Sequence, residues 1–353
     1  MTLLEKTIAN IKPLDKTSMQ KAEKRFSNIA IPLGSLGLFE DTIIQLAGIQ
    51  KTEKPDISKR AVIVFCADNG VVAQGVTQCG QEVTAVVTEN LNRDETSVCI
   101  MASKINADVI PVDIGVARDV KGEKIRKCKI RYGTADMTQE PAMTKAEAIS
   151  AIETGIKLAH ECKENGYKLI CVGEMGIGNT TTTSAVTASL LNLPVCDITG
   201  RGAGLSTDGL RRKIKAIQTA INLHKPDVND PIDILHKVGG LDICGMVGAY
   251  LGGACCGIPV VADGVIACAA ALCAVRLCPQ ARDYIIISHK SDEPAGEKLL
   301  KALNAKPFID AKMRLGEGTG AVCAVSLIDL ALAPYTSMST FEEINIDAYK
   351  PQV

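Results

Sequence analysis

Residues 168–183 read KLICVGEMGIGNTTTT, and no other stretch limits the possible folds of the chain as much. Leu169, Ile170, Cys171 and Val172 form a short apolar run with no helical period. That predicts a strand buried on both faces of a parallel sheet. The run breaks into Gly173, Gly176 and Gly178, with Glu174 between them. Asn179 and the threonines after it are suited to capping a helix that continues past Ser184. A strand, a glycine turn and a helix start aim bare N–H groups and the positive helix end at one point, which makes an anion site. An ordinary βα turn with glycines for tight packing gives the same pattern. No Gly-Lys-Ser/Thr follows, so this is not a Walker A loop, and the spacing is not the Gly-x-Gly-x-x-Gly dinucleotide fingerprint. A carboxylate repels phosphate, so Glu174 is expected beside one, on a hydroxyl or a cation.

The same pattern recurs along the chain. Residues 61–67 (AVIVFCA) predict a strand ending in Asp68-Asn69-Gly70, with a helix from Gln81. Residues 108–113 predict a second, ending in Asp113. Residues 169–172, 258–262 and 284–288 predict three more, the last two closing on Asp263-Gly264 and on His289, Lys290 and Ser291. Thr144 is placed to cap a helix over 145–165, and Asp242 sits in the first turn of one over 241–253. At least five short strands followed by helices predict an α/β protein with a doubly wound parallel sheet, whose ligands sit at the carboxyl ends of the strands. Ahead of the sheet, residues 3–30 have helical spacing with a break at Pro13, residues 38–49 are helical, and polar residues 51–59 mark a boundary. Residues 118–132 are basic and polar and are expected to be a solvated loop.

Composition excludes several functions. Of 353 residues 46% are hydrophobic, enough for a large core. Lys+Arg 39 against Asp+Glu 40 lacks the basic excess of a nucleic-acid binder, and with 3% aromatics and no Trp there is no base-stacking platform. No uncharged run reaches membrane-spanning length, and the start, MTLLEKTIANIKPLDK, lacks a signal-peptide core. The fourteen cysteines are scattered without C-x-x-C or zinc spacing, which predicts thiols in a reducing cytoplasm and no metal site.

A second constellation is residues 313–320, MRLGEGTG, ahead of a helix over 321–332. Gly316 and Gly318 free the backbone around Glu317, giving an active-site loop or else a Glu that caps the helix. Arg314 is expected to hold the Glu317 carboxyl low enough to stay ionised. A further glycine turn, residues 197–204, leads into a helix with Arg211, Arg212 and Lys213, one of which is in reach of a phosphate unless all three form a solvated face.

PLGSLG, the strand-Asp-x-Gly segment, GEMGIGNTT, KVGG-x-Asp, ADG, SH-x-S and MRLGEGTG occur in one order between Leu33 and Phe341. The set resembles the nicotinate-nucleotide–dimethylbenzimidazole phosphoribosyltransferase family, which makes the lower-ligand nucleotide of cobamides. The resemblance implies a Rossmann-like catalytic domain over 59–320 and a smaller helical domain from residues 1–58 with 321–353. It also implies a cytoplasmic dimer without metal or cofactor. The implied reaction moves 5-phosphoribosyl from nicotinate mononucleotide to an aromatic lower-ligand base, with inversion at C1′ and release of nicotinate. Glu317 matches the family's base, and Glu174 a second carboxylate near the ribose. Gly176, Gly178, Asn179 and Thr180 match the nucleotide loop. Gly202, Lys213, Ser291, Arg314 and Gly316 carry over as phosphate and ribose contacts.

The chain departs from the family at three places: Asn69 stands where many members have His, Cys79-Gly80 where many have Ser or an aromatic followed by Pro, and Val87 where some have Gln. By resemblance these line the acceptor pocket; Met175, next to Glu174, is suited to adapt to an aromatic ring there. Their loss puts dimethylbenzimidazole in question and opens an alternative: one subunit, active or silent, of a heterodimer that activates phenol or p-cresol. A silent subunit should lose the carboxylate or the glycine loop, and both are kept. An oxidoreductase on the same fold would need the dinucleotide fingerprint and a ribose-binding acid at the end of the second strand; Asp113 offers the acid, but the glycine spacing is wrong.

Overall fold

A computed structural model describes residues 1–349. Three helices, α1 (Leu3–Asn10), α2 (Lys16–Asn28) and α3 (Leu38–Gln50), precede the sheet. Six strands follow: β1 (Arg60–Ala67), β2 (Ala107–Gly115), β3 (Arg126–Lys127), β4 (Leu169–Met175), β5 (Val260–Ala262) and β6 (Ile285–Ile287). Helices α4 (Glu82–Asn92) and α5 (Ser97–Ala102) join β1 to β2, and α6 (Lys145–Glu164) leads to β4. Between β4 and β5 run α7 (Asn179–Leu191), α8 (Thr207–His224), α9 (Pro231–Val238) and α10 (Leu241–Cys256). Then come α11 (Val265–Leu277), and after β6 α12 (Ala295–Ala302) and α13 (Thr319–Ser337).

The strand order is β3-β2-β1-β4-β5-β6 and every neighbouring pair is parallel, so the protein is α/β with a doubly wound sheet. The winding reverses between β1 and β4, which opens a crevice at their carboxyl ends. All eight residues of β1 are buried. Ala61, Ile63 and Phe65 face one core with Ile170, Val172 and Ile243. Val62, Val64 and Cys66 face the other with Ile43, Leu46, Val325 and Ile328. This is the two-residue alternation of a strand covered on both faces. The two chain ends meet on the second face: Phe26 and Tyr335 have ring centroids 4.8 Å apart, and Arg60 pairs with Asp329 at 2.5 Å.

Pro13 does break the first helical stretch, and the Thr144 capping box starts α6. Other expectations change. Residues 118–132 are not wholly a solvated loop: Arg126 and Lys127 pair with Val112 and Asp113, and Val120 and Ile125 are buried. Two basic residues on an edge strand carry no hydrophobic period to read. The threonines after Asn179 are no caps; Gly178 occupies the N-cap position with φ 93° and Asn179 opens the helix. Helix α13 is longer than 321–332, and by length and composition it could cross a membrane, but over half of it is buried in the structure. Buried Ala321, Val325 and Ile328 make it a core helix.

Candidate active site

Strand β4 does not stop at Val172 but runs on through Gly173, Glu174 and Met175. Glu174 therefore projects from a sheet strand rather than a turn, and it is only 6% exposed. Asn179, the first residue of α7, donates its side-chain amide to the Glu174 carboxylate. The loop between them is fixed from outside: the Ile177 N–H donates to Thr84 Oγ1 at 3.0 Å. The loop's glycines are needed for close approach; a Cβ on Gly176 would lie 2.2 Å from the Ala67 carbonyl oxygen.

Glu317 sits across from this loop. Gly316, Glu317 and Gly318 all have positive φ, at 96°, 61° and 94°. A non-glycine residue held there is strained, and such strain collects at functional sites. The strain is held in place by Asp263 at the end of β5, whose carboxylate accepts the backbone N–H groups of Gly318 at 3.0 Å, Gly320 at 2.6 Å and Ala321 at 3.3 Å. Asp263 thus caps α13 from a distant strand, so Glu317 is not the cap. Ser288 Oγ donates to the Asp263 carbonyl at 2.9 Å and lies 3.0 Å from His289 Nδ1, which steadies the same corner.

The cation of the site is Lys213. Its Nζ donates to Thr180 Oγ1 at 2.8 Å and to the Gly200 carbonyl at 3.1 Å, and the residue is fully buried. Among the described residues no carboxylate reaches ion-pair distance of it, and burial pushes its ammonium down to about 8. A buried, unneutralised lysine is costly unless an anion completes it. Gly202, with φ 54°, faces the same spot.

The acids are unusual in the opposite sense. Burial pushes the Glu174 carboxyl well above the usual range, helped by the charges of Asp242, Asp263 and Glu317. Burial raises Asp242 and Asp263 to about 7. Glu317 is also raised by burial, against the pull of the Val98 N–H, and its Oε2 is buried with no hydrogen-bond partner among the described residues. The expected role of Arg314 fails here: its guanidinium points to Asp292 at 3.4 Å and stays 63% exposed, while the turn at 316–318 sends Glu317 inward.

One cavity joins these parts at the carboxyl ends of β4, β5 and β6. Of the residues expected from sequence, Glu174, Met175, Gly176, Asn179, Thr180, Gly202, Ser291, Arg314, Gly316 and Glu317 line it. Lys213 lies beneath, bonded to Thr180. Gly178 and Cys79 line a smaller adjoining cavity with Gln78 and Arg201, and the half-buried Val87 lines neither. Asp263, His289 and Glu293 also line the main cavity, and none of the three was given a site role from sequence. The ADG and SH-x-S motifs signalled the first two; nothing local marked Glu293. Among the described residues no group of three or more His, Cys, Asp or Glu is arranged for a metal ion.

Residues 11–346 match the sequence model of a family described as "Phosphoribosyltransferase". The nicotinate-nucleotide–dimethylbenzimidazole phosphoribosyltransferase of Acetivibrio thermocellus is 45% identical over 351 residues, covering 99% of this chain and 100% of that one. The enzyme of the same name from Ruminiclostridium cellulolyticum is 45% identical over 98% of this chain and 99% of its own. The crystal structure of CobT from Thermus thermophilus superposes with a TM-score of 0.89 at 36% identity, over 94% of this chain and 100% of that one. None of these relatives is named for phenol or p-cresol, and the heterodimer alternative finds no support in them. With the motifs in order, the cavity at the strand ends and identity of this extent, the chain belongs to the nicotinate-nucleotide–dimethylbenzimidazole phosphoribosyltransferase family.

Proposed function

We propose that the protein transfers 5-phosphoribosyl from nicotinate mononucleotide to 5,6-dimethylbenzimidazole or a related aromatic base, giving an α-ribotide and nicotinate. One observation carries this reading: a buried lysine, without an ion-pair partner among the described residues, lies beneath Thr180 at a cavity that Glu174 and Glu317 also line. The donor phosphate sits on the Gly202 N–H, Lys213, Thr180 and Ser291. The acceptor nitrogen attacks C1′ from the α face as nicotinate leaves from the β face, and Glu317 takes the acceptor's proton. Glu174, whose proton is held tightly, bonds a ribose hydroxyl rather than serving as a bare anion. Positive charge that develops on the ribose is stabilised by the ionised Glu317 and by the partial negative charge on the neutral Glu174 carbonyl oxygen.

Exposed Leu330 on α13 and Ile100 on the adjacent α5 support burial in a dimer. All fourteen cysteines are free, which supports a reducing cytoplasm. Residues 1–58 with 321–349 are read as a helical unit beside a catalytic unit over 59–320, supported by the meeting of Phe26 and Tyr335; residues 350–353 of that unit lie outside the described residues. The test is incubation of purified protein with nicotinate mononucleotide and dimethylbenzimidazole, following nicotinate release and ribotide mass. Absence of both products refutes the proposal.

A further inference from the structure

The Gly200–Gly202 turn already holds an anion, and it belongs to the protein. Glu293 Oε1 accepts the Gly202 N–H at 3.0 Å, and its Oε2 lies 1.8 Å from where a Gly200 Cβ would stand. Both carboxylate oxygens therefore face the turn. The same carboxylate is the charge that opposes the burial-driven fall of the Lys213 ammonium, yet it stops short of an ion pair. Its backbone is tethered, with the Glu293 N–H donating to Ser291 Oγ at 3.3 Å just ahead of α12. Ser291 and Gly202 are thus both engaged by Glu293 at the place read above as the phosphate cradle.

We infer that Glu293 is a built-in stand-in for the donor's phosphate: it occupies the cradle in the ligand-free protein and must be displaced when a phosphate monoester binds. The inference rests on the reading of Gly202 and Lys213 as the phosphate site. A carboxylate and a phosphate dianion cannot share one N–H and one cation, because like charges in a buried site repel strongly. The glutamate keeps the glycine turn ordered and its N–H satisfied when no ligand is bound. It also sets the affinity below what the cradle alone would give. When the phosphorylated product is bound, return of Glu293 to Gly202 helps expel it.

Equilibrium binding of two probes, nicotinate mononucleotide and inorganic phosphate, tests this on the full-length chain. Glu293→Gln keeps the shape and an acceptor for Gly202 but removes the charge. Both probes should bind Glu293→Gln roughly tenfold tighter than wild type, a difference of about 1.4 kcal/mol. In turnover KM for the donor should fall while kcat stays level or drops. Glu293→Ala, which removes the side chain, should also bind phosphate more tightly than wild type. Unchanged or weaker binding of both probes by these two variants overturns the inference. A Lys213→Met arm separates it from the underlying reading. If Lys213→Met loses phosphate while Glu293→Gln is unchanged, the cradle stands and the stand-in role falls. If Lys213→Met binds phosphate like wild type, the cradle is elsewhere and both readings fall.

Discussion

The Cα of Gly173 lies against the backbone of Glu317: a Cβ there would stand 2.4 Å from the Glu317 carbonyl carbon and oxygen and from the Gly318 nitrogen. The two glycine motifs of the sequence, 144 residues apart (317 − 173), are therefore one site in which each backbone leaves room for the other.

Gly173→Ala should separate the Glu317 loop from β4. The clash is with backbone on both sides, so no side-chain movement relieves it. Turnover should fall at least tenfold, and stability by about 1–3 kcal/mol, the usual cost of overpacking. Steady-state kinetics and thermal unfolding check this; a variant with wild-type turnover would mean that the loop position is not critical.

Glu317→Gln should lower turnover about 10²–10⁴-fold with nucleotide binding kept, the ordinary share of a general base. The base works only when ionised, and burial raises its pKa. Activity should therefore rise with pH through a limb lying above the usual glutamate range. The pH profile of kcat/KM measures it, and the residual activity of Glu317→Gln should lack that limb.

Lys213 predicts the other side of the profile. Its ammonium is pushed down to about 8 in the ligand-free protein. Above that pH the cradle loses its cation, so kcat/KM for the donor should fall while kcat, measured with phosphate already bound, holds. Lys213→Met should raise the donor KM by one to three decades and abolish this alkaline limb. An alkaline limb that survives in Lys213→Met belongs to another group.

Asp242 bears on stability. Its carboxyl is raised from 3.8 to about 7 by burial, and Oδ2 has no hydrogen-bond partner among the described residues. The folded state holds this proton more tightly than the unfolded state. Its contribution is therefore complete below the unfolded value and is lost as pH rises through about 7. Asp242→Asn should flatten the decline between these limits and be more stable than wild type at pH above 7, by up to about 4 kcal/mol. Asp263, raised likewise, keeps part of the slope. Denaturant unfolding at several pH values gives the comparison, and an unchanged slope would rule Asp242 out.

Much of this protein was legible in the chain itself. Apolar runs such as residues 61–67 and 169–172 have to be buried wherever they go, and a run that short between glycine turns has few ways to be buried other than as a central strand. The glycines at 173, 176, 316 and 318 and the acids among them, Glu174 and Glu317, stand out because glycine-flanked carboxylates serve neither a helix nor a core. The strand β3 escaped because two basic edge residues have no period.

What the sequence determined by itself is the set of local commitments: strands, turns, helix starts and the two loops that bear the acids. Tertiary structure decided how charges meet. Lys213 reads as one of three cations on a helix, yet it alone is fully buried, because α8 lays it against Thr180 and Gly200. Arg314, three residues from Glu317, turns to Asp292 instead, and Asp263, more than fifty residues away, holds the Glu317 loop. Pairing of charges depends on distance and burial in space, and neither is encoded in spacing along the chain.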